Sequence, residues 1–117
     1  MEKEELNTAA ELCIAADGVS VRPQLLAAAT WDARCETDIR NLTDSLRHVT
    51  LRSSIVDGEG IVFGSARTET DIAGGERIRL VQSVLCYGIC TGERYTMVTE
   101  LCDRDRVISE KHTGFVF

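Results

Sequence analysis

From about residue 48 to the C-terminus, apolar and polar residues alternate with a period of two, the spacing of a strand with one buried face. Leu51, Ser53 and Ile55, for example, share one face of the first run. Short turns rich in Gly or Asp separate the runs, and Asp57-Gly58 is a common hairpin signal. The pattern predicts five antiparallel strands, at about 48–56, 61–70, 77–88, 95–102 and 107–117.

The first 46 residues show instead the three- and four-residue spacing of helices. A first helix is predicted from Glu2 to Ala16 and ends at Asp17-Gly18, because Gly commonly follows the last turn of a helix. A second, shorter helix is predicted to begin near Pro23, which suits a first helical turn. Thr30 to Ala33 is interpreted as a short strand or a connection. A third helix begins at Thr37 and carries an apolar stripe of Ile39, Leu42 and Leu46.

Three helices followed by a five-stranded antiparallel meander predict an α+β fold in one domain that spans residues 1–117. One face of a long curved sheet must be buried against another layer, and the helices are predicted to form that layer. The turn between Gly88 and Gly92 leaves the register of the strands open, and with it the faces of Tyr95 and Glu100.

Composition and charge narrow the classes of partner. The net charge of −6 argues against binding to nucleic acid, although Arg77, Arg79 and Arg94 could form a local basic patch. No apolar run of 18 residues occurs, so no membrane span is predicted, and the acidic N-terminus does not fit a secretion signal. Five cysteines without a second closely spaced pair predict buried thiols, a cytoplasmic location and no metal or other cofactor.

The order of these elements resembles the nuclear transport factor 2-like superfamily, which includes steroid isomerase-like and polyketide cyclase-like proteins. The resemblance implies a cone, in which three helices fill the concave face of the curved sheet. It also implies a small apolar ligand in the open end and a homodimer formed through the outer face of the sheet. The stretches that carry the resemblance are Ala16-Asp17-Gly18 before Leu25-Leu26, Ala29 to Asp32, Thr37 to Leu42, His48 to Gly58, and Asp105 to His112.

Asp32 lies close to the position where steroid isomerase-like members carry a catalytic carboxylate. In an apolar pocket its pKa would rise, which suits a general base near neutral pH. The alternative is an exposed acid on a connecting segment, since Asp is rarely buried. The isomerase pattern also needs a Tyr on the first helix, and the predicted helix has none.

Glu110 and His112 are two residues apart on the last strand and therefore project to one face. If that face lined the cone, the pair would serve as an acid and a base. The alternative is a charged face turned to solvent, because alternation alone does not choose the face.

Four aromatic residues are candidates for ligand binding: Trp31, Phe63, Tyr87 and Tyr95. Core packing is the alternative for Trp31, and structural hydrogen bonding is the alternative for the two tyrosines. Two hypotheses for function follow. The first is a cofactor-free lyase, isomerase or cyclase that moves protons on a small apolar substrate. The second is a non-catalytic homodimeric module that binds a ligand or another protein. No sequence motif of a hydrolase, nucleotide-binding protein or zinc protease is found.

Overall fold

The computed structural model describes residues 11–117, and every element between Leu12 and Phe117 is a β-strand. The seven strands form two antiparallel sheets with the orders β1-β2-β5 and β4-β3-β6-β7. Their bounds are β1 Leu12–Ala27, β2 Thr30–Asn41, β3 Arg47–Val56, β4 Val62–Ile72, β5 Arg77–Tyr87, β6 Arg94–Asp103 and β7 Arg106–Val116.

The two sheets pack face to face as a β-sandwich, with the buried side chains of both sheets between them. In constant-type immunoglobulin domains the fourth strand joins the sheet of the first, second and fifth strands. Here β4 pairs with β3 in the other sheet. The edge of β4 nevertheless lies against β5, because a Cβ added at Gly64 would stand 2.3 Å from the carbonyl oxygen of Leu85.

The predicted α+β fold is wrong, and so is the cone that the family resemblance implied, because strands occupy the places of the second and third helices. Most of the first predicted helix, residues 1–10, lies outside the described residues, and its remainder from Leu12 onward is strand. Leu42 and Leu46, which suggested the third helix, are exposed in the connection between β2 and β3. No helix within residues 11–117 is long and apolar enough to cross a membrane.

Strand β1 contains both features that suggested helix boundaries. Asp17 has a φ of 55°, so the left-handed conformation lies at Asp17 and not at Gly18, where a helix end would place it. It lies in an irregularity of the pairing between Ile14 and Val19, however, and β1 continues beyond it. Pro23 is tolerated because β1 is at the edge of its sheet, where a missing N–H need not break a hydrogen-bonded ladder.

The five predicted C-terminal strands are confirmed, with ends that shift by a few residues. The inward face of β3 is the predicted one, since Val49, Leu51, Ser53 and Ile55 are all fully buried. The register that the sequence left open is also defined. Tyr95 points into the core, and Glu100 points to the outer face of the four-stranded sheet.

The core consists of two apolar clusters along the length of the sandwich. One contains Tyr95, Met97 and Phe117, and the other contains Leu12, Leu51 and Leu101. A group of buried polar side chains belongs to neither cluster: Thr37, Ser53, Gln82 and Thr99.

Gln82 joins the two sheets across this polar group. Its Nε2 donates to the carbonyl of Leu51 at 3.0 Å and to the hydroxyl of Thr68 at 3.1 Å, while the Ser53 hydroxyl donates to its Oε1 at 2.5 Å. Buried polar groups with matched partners favour one register over others, so Gln82 helps to fix how the sheets face each other.

The connections divide between two ends of the sandwich, which lie about 30 Å apart since the strands have about ten residues each. The β1–β2, β3–β4 and β5–β6 connections lie at one end, where the Gly88 amide donates to the Ala29 carbonyl at 3.1 Å. The β2–β3, β4–β5 and β6–β7 connections lie at the other end. There the buried Asn41 amide donates to the carbonyls of Ser45, Ile72 and Ala73.

Candidate functional site

Asp32 lies on the outer face of the three-stranded sheet, opposite Leu85 of β5. Its Oδ1 accepts a hydrogen bond from the Ser83 hydroxyl at 2.6 Å, and both residues are accessible to solvent. This matches the alternative of an accessible carboxylate, although Asp32 belongs to a regular strand and not to a connection.

His112 and Glu110 share one face of β7, as predicted, with 2.8 Å between Nε2 and Oε2. Their side chains are 58% and 45% exposed on the outer face of the four-stranded sheet. This is the solvent-facing alternative. Because Asp32 lies on the outer face of the other sheet, the core separates it from the His112–Glu110 pair.

Three of the four predicted ligand-binding aromatics meet, but they meet inside the sandwich. Phe63 and Tyr95 pack edge to face with ring centroids 5.5 Å apart, and Trp31 and Tyr95 each pack against Phe117 with centroids 5.2 Å apart. The Cys90 amide donates to the Tyr95 hydroxyl at 3.0 Å. Tyr95 lies near the start of β6. In immunoglobulin-like sandwiches, a Tyr near the start of a strand whose hydroxyl is hydrogen-bonded to backbone a few residues upstream is called the tyrosine corner. The contacts of Tyr95 are therefore structural.

The fourth aromatic residue, Tyr87, is 62% exposed and belongs to an apolar surface. We call this surface the apolar end. It includes the exposed large apolar residues nearest the β1–β2, β3–β4 and β5–β6 connections, namely Leu25, Leu26, Ile61, Val62, Leu85, Tyr87 and Val116. Single exposed apolar residues are common, whereas contiguous groups of them are typical of a surface that another protein covers.

The opposite end, which we call the charged end, surrounds the β6–β7 turn at Arg104-Asp105. Arg47 of β3 forms an ion pair with Asp103 of β6. Beside it, His48 Nδ1 lies 2.6 Å from Asp71 Oδ1. The hydrogen bond with Asp71, followed by that with Glu69, raises the pKa of His48 above its usual value.

Sequence reasoning missed the arginines of the charged end. Arg52 and Arg67 stand directly opposite each other on β3 and β4, and Arg104 lies at the neighbouring turn. Counting outward from the predicted hairpin turn at 57–60 pairs Arg52 with Ser65, because it misses the later start of β4 at Val62 and the register shift between Ile55 and Val56. The basic patch considered from sequence does not form, because Arg77 lies on β5 toward the charged end and Arg94 begins β6 at the apolar end.

Two other groups have pKa values that their surroundings shift. Arg79 donates to Asp38 from Nε at 2.8 Å, and this hydrogen bond lowers the pKa of Asp38. Burial raises the pKa of the Cys86 thiol to about 11, which keeps it protonated and unreactive. No three His, Cys, Asp or Glu side chains within residues 11–117 gather in a way that would hold a metal ion.

Comparison with known proteins identifies the fold. The chain matches no protein-family model and no curated protein. Among solved structures it is similar to part of a β-glucuronidase from glycoside hydrolase family 2, with a TM-score of 0.87 and 18% identity over 92% of this chain and 13% of that one. It is similar to a family 2 member from Bacteroides cellulosilyticus, with a TM-score of 0.84 and 16% identity over 91% of this chain and 15% of that one. A putative β-galactosidase from Bacteroides fragilis gives a TM-score of 0.84 and 16% identity over 92% of this chain and 18% of that one.

The chain therefore spans less than a fifth of the length of each of these structures, and at these identities the similarity establishes the fold alone. It corrects the hypothesis of a small-molecule-binding cone with lyase, isomerase or cyclase chemistry, and that of a homodimeric module built on the same cone. Both assumed helices packed against one curved sheet, whereas the chain and its structural neighbours share an all-β sandwich.

Proposed function

We propose that this chain is a supporting β-sandwich domain of a larger glycoside hydrolase and that its apolar end packs against a neighbouring domain of that enzyme. The observation that carries the proposal is the group of seven exposed apolar side chains at one end of the sandwich. Its context is the size of the similar structures, in which the matching part is 13–18% of a longer chain.

The distribution of apolar residues supports packing through an end of the sandwich. Within residues 11–117, seven of the eleven exposed large apolar residues belong to the apolar end. The outer face of the four-stranded sheet carries instead a row of four charged residues that lie opposite one another on its four strands: Arg67, Arg52, Glu100 and Glu110. Charged residues are depleted in the buried centre of protein interfaces, so this face is the less suitable one for a dry contact.

The first test determines the size and activity of the native polypeptide. An antibody against this chain is used to blot extracts of the source cells and to precipitate the protein for assay on 4-nitrophenyl β-glucuronide and β-galactoside. We expect a polypeptide several times heavier than 12.9 kDa, together with glycosidase activity in the precipitate. A 12.9 kDa species without glycosidase activity would contradict the proposal.

The second test probes the apolar end in the same enzyme. Replacing Leu26 and Tyr87 by Ser exchanges two apolar contacts for polar groups, and burial of such a side chain contributes about 1.5–3 kcal/mol. We expect a lower melting temperature for the whole enzyme, with little change in the stability of the isolated sandwich. The matched control replaces Leu46 and Val107, which are exposed at the charged end, by Ser. It should leave the melting temperature of the enzyme unchanged.

Sedimentation of the isolated chain tests the homodimer that the sequence suggested. If Leu26→Ser and Tyr87→Ser abolish a reversible dimer but leave the larger enzyme unaltered, the apolar end joins two copies of this chain and not two domains.

A further inference from the structure

A groove of about 270 Å³ opens at the charged end, on the outer face of the four-stranded sheet. Thr50 and Cys102 face outward from β3 and β6, yet they are only 8% and 3% exposed, so they form the floor of the groove. The charged residues that line it are Arg52, Arg67, Arg104 and Asp105. Three guanidinium groups and one carboxylate line the groove itself, in a chain whose net charge is −6, and the carboxylates of Glu69 and Glu100 border it.

The placement of Arg52 and Arg67 is unfavourable without a ligand. The two residues are directly opposite on neighbouring strands and on the same face, where like charges destabilise a sheet. Each has one carboxylate neighbour, Glu100 for Arg52 and Glu69 for Arg67, both at 3.4 Å. A guanidinium group has five N–H donors, so each arginine keeps donors for another acceptor.

Arg104 adds a third cation at the tip of the β6–β7 turn. Its φ of 60° shows that the turn holds this non-glycine residue in the left-handed conformation. Within residues 11–117, no carboxylate forms an ion pair with it. Two adjoining grooves, of about 740 and 450 Å³, share Arg104 and Asp105 with the first, so a ligand can extend from it.

We propose that this groove binds an oxyanion group of a small ligand: a carboxylate, such as that of a uronic acid, or a phosphate or sulfate. An oxyanion between Arg52 and Arg67 would offset their mutual repulsion and accept paired hydrogen bonds from the planar guanidinium forks. The volume suits one such group or one sugar ring, since pockets for larger ligands begin at about 300 Å³. This proposal does not depend on the apolar end or on a larger enzyme.

Amide chemical shifts of the isolated chain provide the test. Sodium glucuronate, phosphate and sulfate are titrated separately, with glucose and sodium chloride at matched ionic strength as controls. We expect saturable shifts at Thr50, Cys102 and Arg104 with at least one oxyanion and none with glucose. The three titrations separate a sugar carboxylate from an inorganic anion as the preferred source of charge.

Variants test the assignment of the groove. Replacing Arg52 and Arg67 by Gln is expected to weaken binding at least tenfold, because two charge-assisted contacts are lost together. Replacing both by Lys keeps the charge but removes the forks, and a smaller loss is expected. Arg34→Gln, on the outer face of the other sheet, is the matched control and should bind like the parent chain.

Each remaining outcome overturns the proposal. Shifts that sodium chloride reproduces would indicate screening of surface charge only. Binding that survives the double Gln replacement would place the anion elsewhere. The amide shifts of each variant, recorded without ligand, show whether the variant is folded. If a variant is unfolded, the titrations of the parent chain alone decide whether the groove binds an oxyanion.

Discussion

The apolar end and the charged end of the sandwich are built from the same strands, yet they differ in what they bury and in what they expose. Beneath the apolar end the core includes aromatic rings, with Trp31 and Tyr95 each in edge-to-face contact with Phe117. Beneath the charged end it is aliphatic, and its surface carries arginines and carboxylates that pair across strands. The same scaffold thus presents exposed apolar side chains at one end and charged side chains at the other, and the two proposals rest on that difference.

The largest expected effect contrasts the two tyrosines of the apolar end. Tyr95 is 2% exposed and is central to the aromatic cluster, so Tyr95→Ala should lower the free energy of unfolding by about 3–5 kcal/mol. Tyr87→Ala removes an exposed ring and should change it by less than about 0.5 kcal/mol. Urea denaturation of the isolated chain measures both changes.

Tyr95→Phe isolates the tyrosine corner from the packing of the ring. Only the hydrogen bond from the Cys90 amide is lost, so a decrease of about 0.5–1.5 kcal/mol in the free energy of unfolding is expected. The contrast between the two tyrosines would fail if Tyr87→Ala lowered the free energy of unfolding as much as Tyr95→Ala, because the apolar end would then not be exposed in the isolated chain.

An effect smaller than that of Tyr95→Ala is expected from the polar group between the two core clusters. Gln82→Leu leaves the buried Ser53 hydroxyl without its acceptor, which should cost about 1–3 kcal/mol of unfolding free energy. Removing both partners, with Ser53→Ala added, should cost less than the sum of the two single changes, because the double variant has no Ser53 hydroxyl left without an acceptor. Additive losses in this double-mutant cycle would show that Gln82 and Ser53 are not coupled.

The C-terminal strands could be predicted because their alternation is long and uninterrupted. The inward residues of β3 include Val49, Leu51 and Ile55, and the outward ones include Arg52, so the contrast between the faces is strong. Local sequence and tertiary structure agree there, which is the condition under which periodicity identifies a strand.

The first two strands could not be predicted for two separate reasons. In β1 the irregularity between Ile14 and Val19 interrupts the period of two. In β2 the inward positions alternate correctly from Ala33 to Asn41, but several are small or polar, so hydrophobicity does not show the pattern. The exposed Leu42 and Leu46 then gave an accidental helical stripe with Ile39.

The candidate site depends on pairing between strands that are distant in sequence. Arg52 and Arg67 are neighbours through a hairpin, but the register shift between Ile55 and Val56 moves them out of the alignment that the predicted turn gives. Arg104 reaches the same groove through the pairing of β3 with β6. That pairing crosses about 50 residues of chain, and no local pattern encodes it.

The smallest expected effect is a titration at the charged end. The hydrogen bond with Asp71, and then that with Glu69, raises the pKa of His48, so its folded pKa lies above the unfolded value of about 6.5. The interaction therefore stabilises the fold fully below about pH 6.5, and this stabilisation is lost as the pH rises through the folded pKa.

Proton NMR of the imidazole measures that pKa, and His112→Gln assigns the signal because the chain has two histidines. Asp71→Asn should lower the pKa of His48. The control, Asp32→Asn on the other sheet, should leave that pKa unchanged. An unchanged pKa in Asp71→Asn would show that the carboxylates of the charged end do not hold the imidazolium, and the electrostatic contrast between the two ends would then rest on the arginines alone.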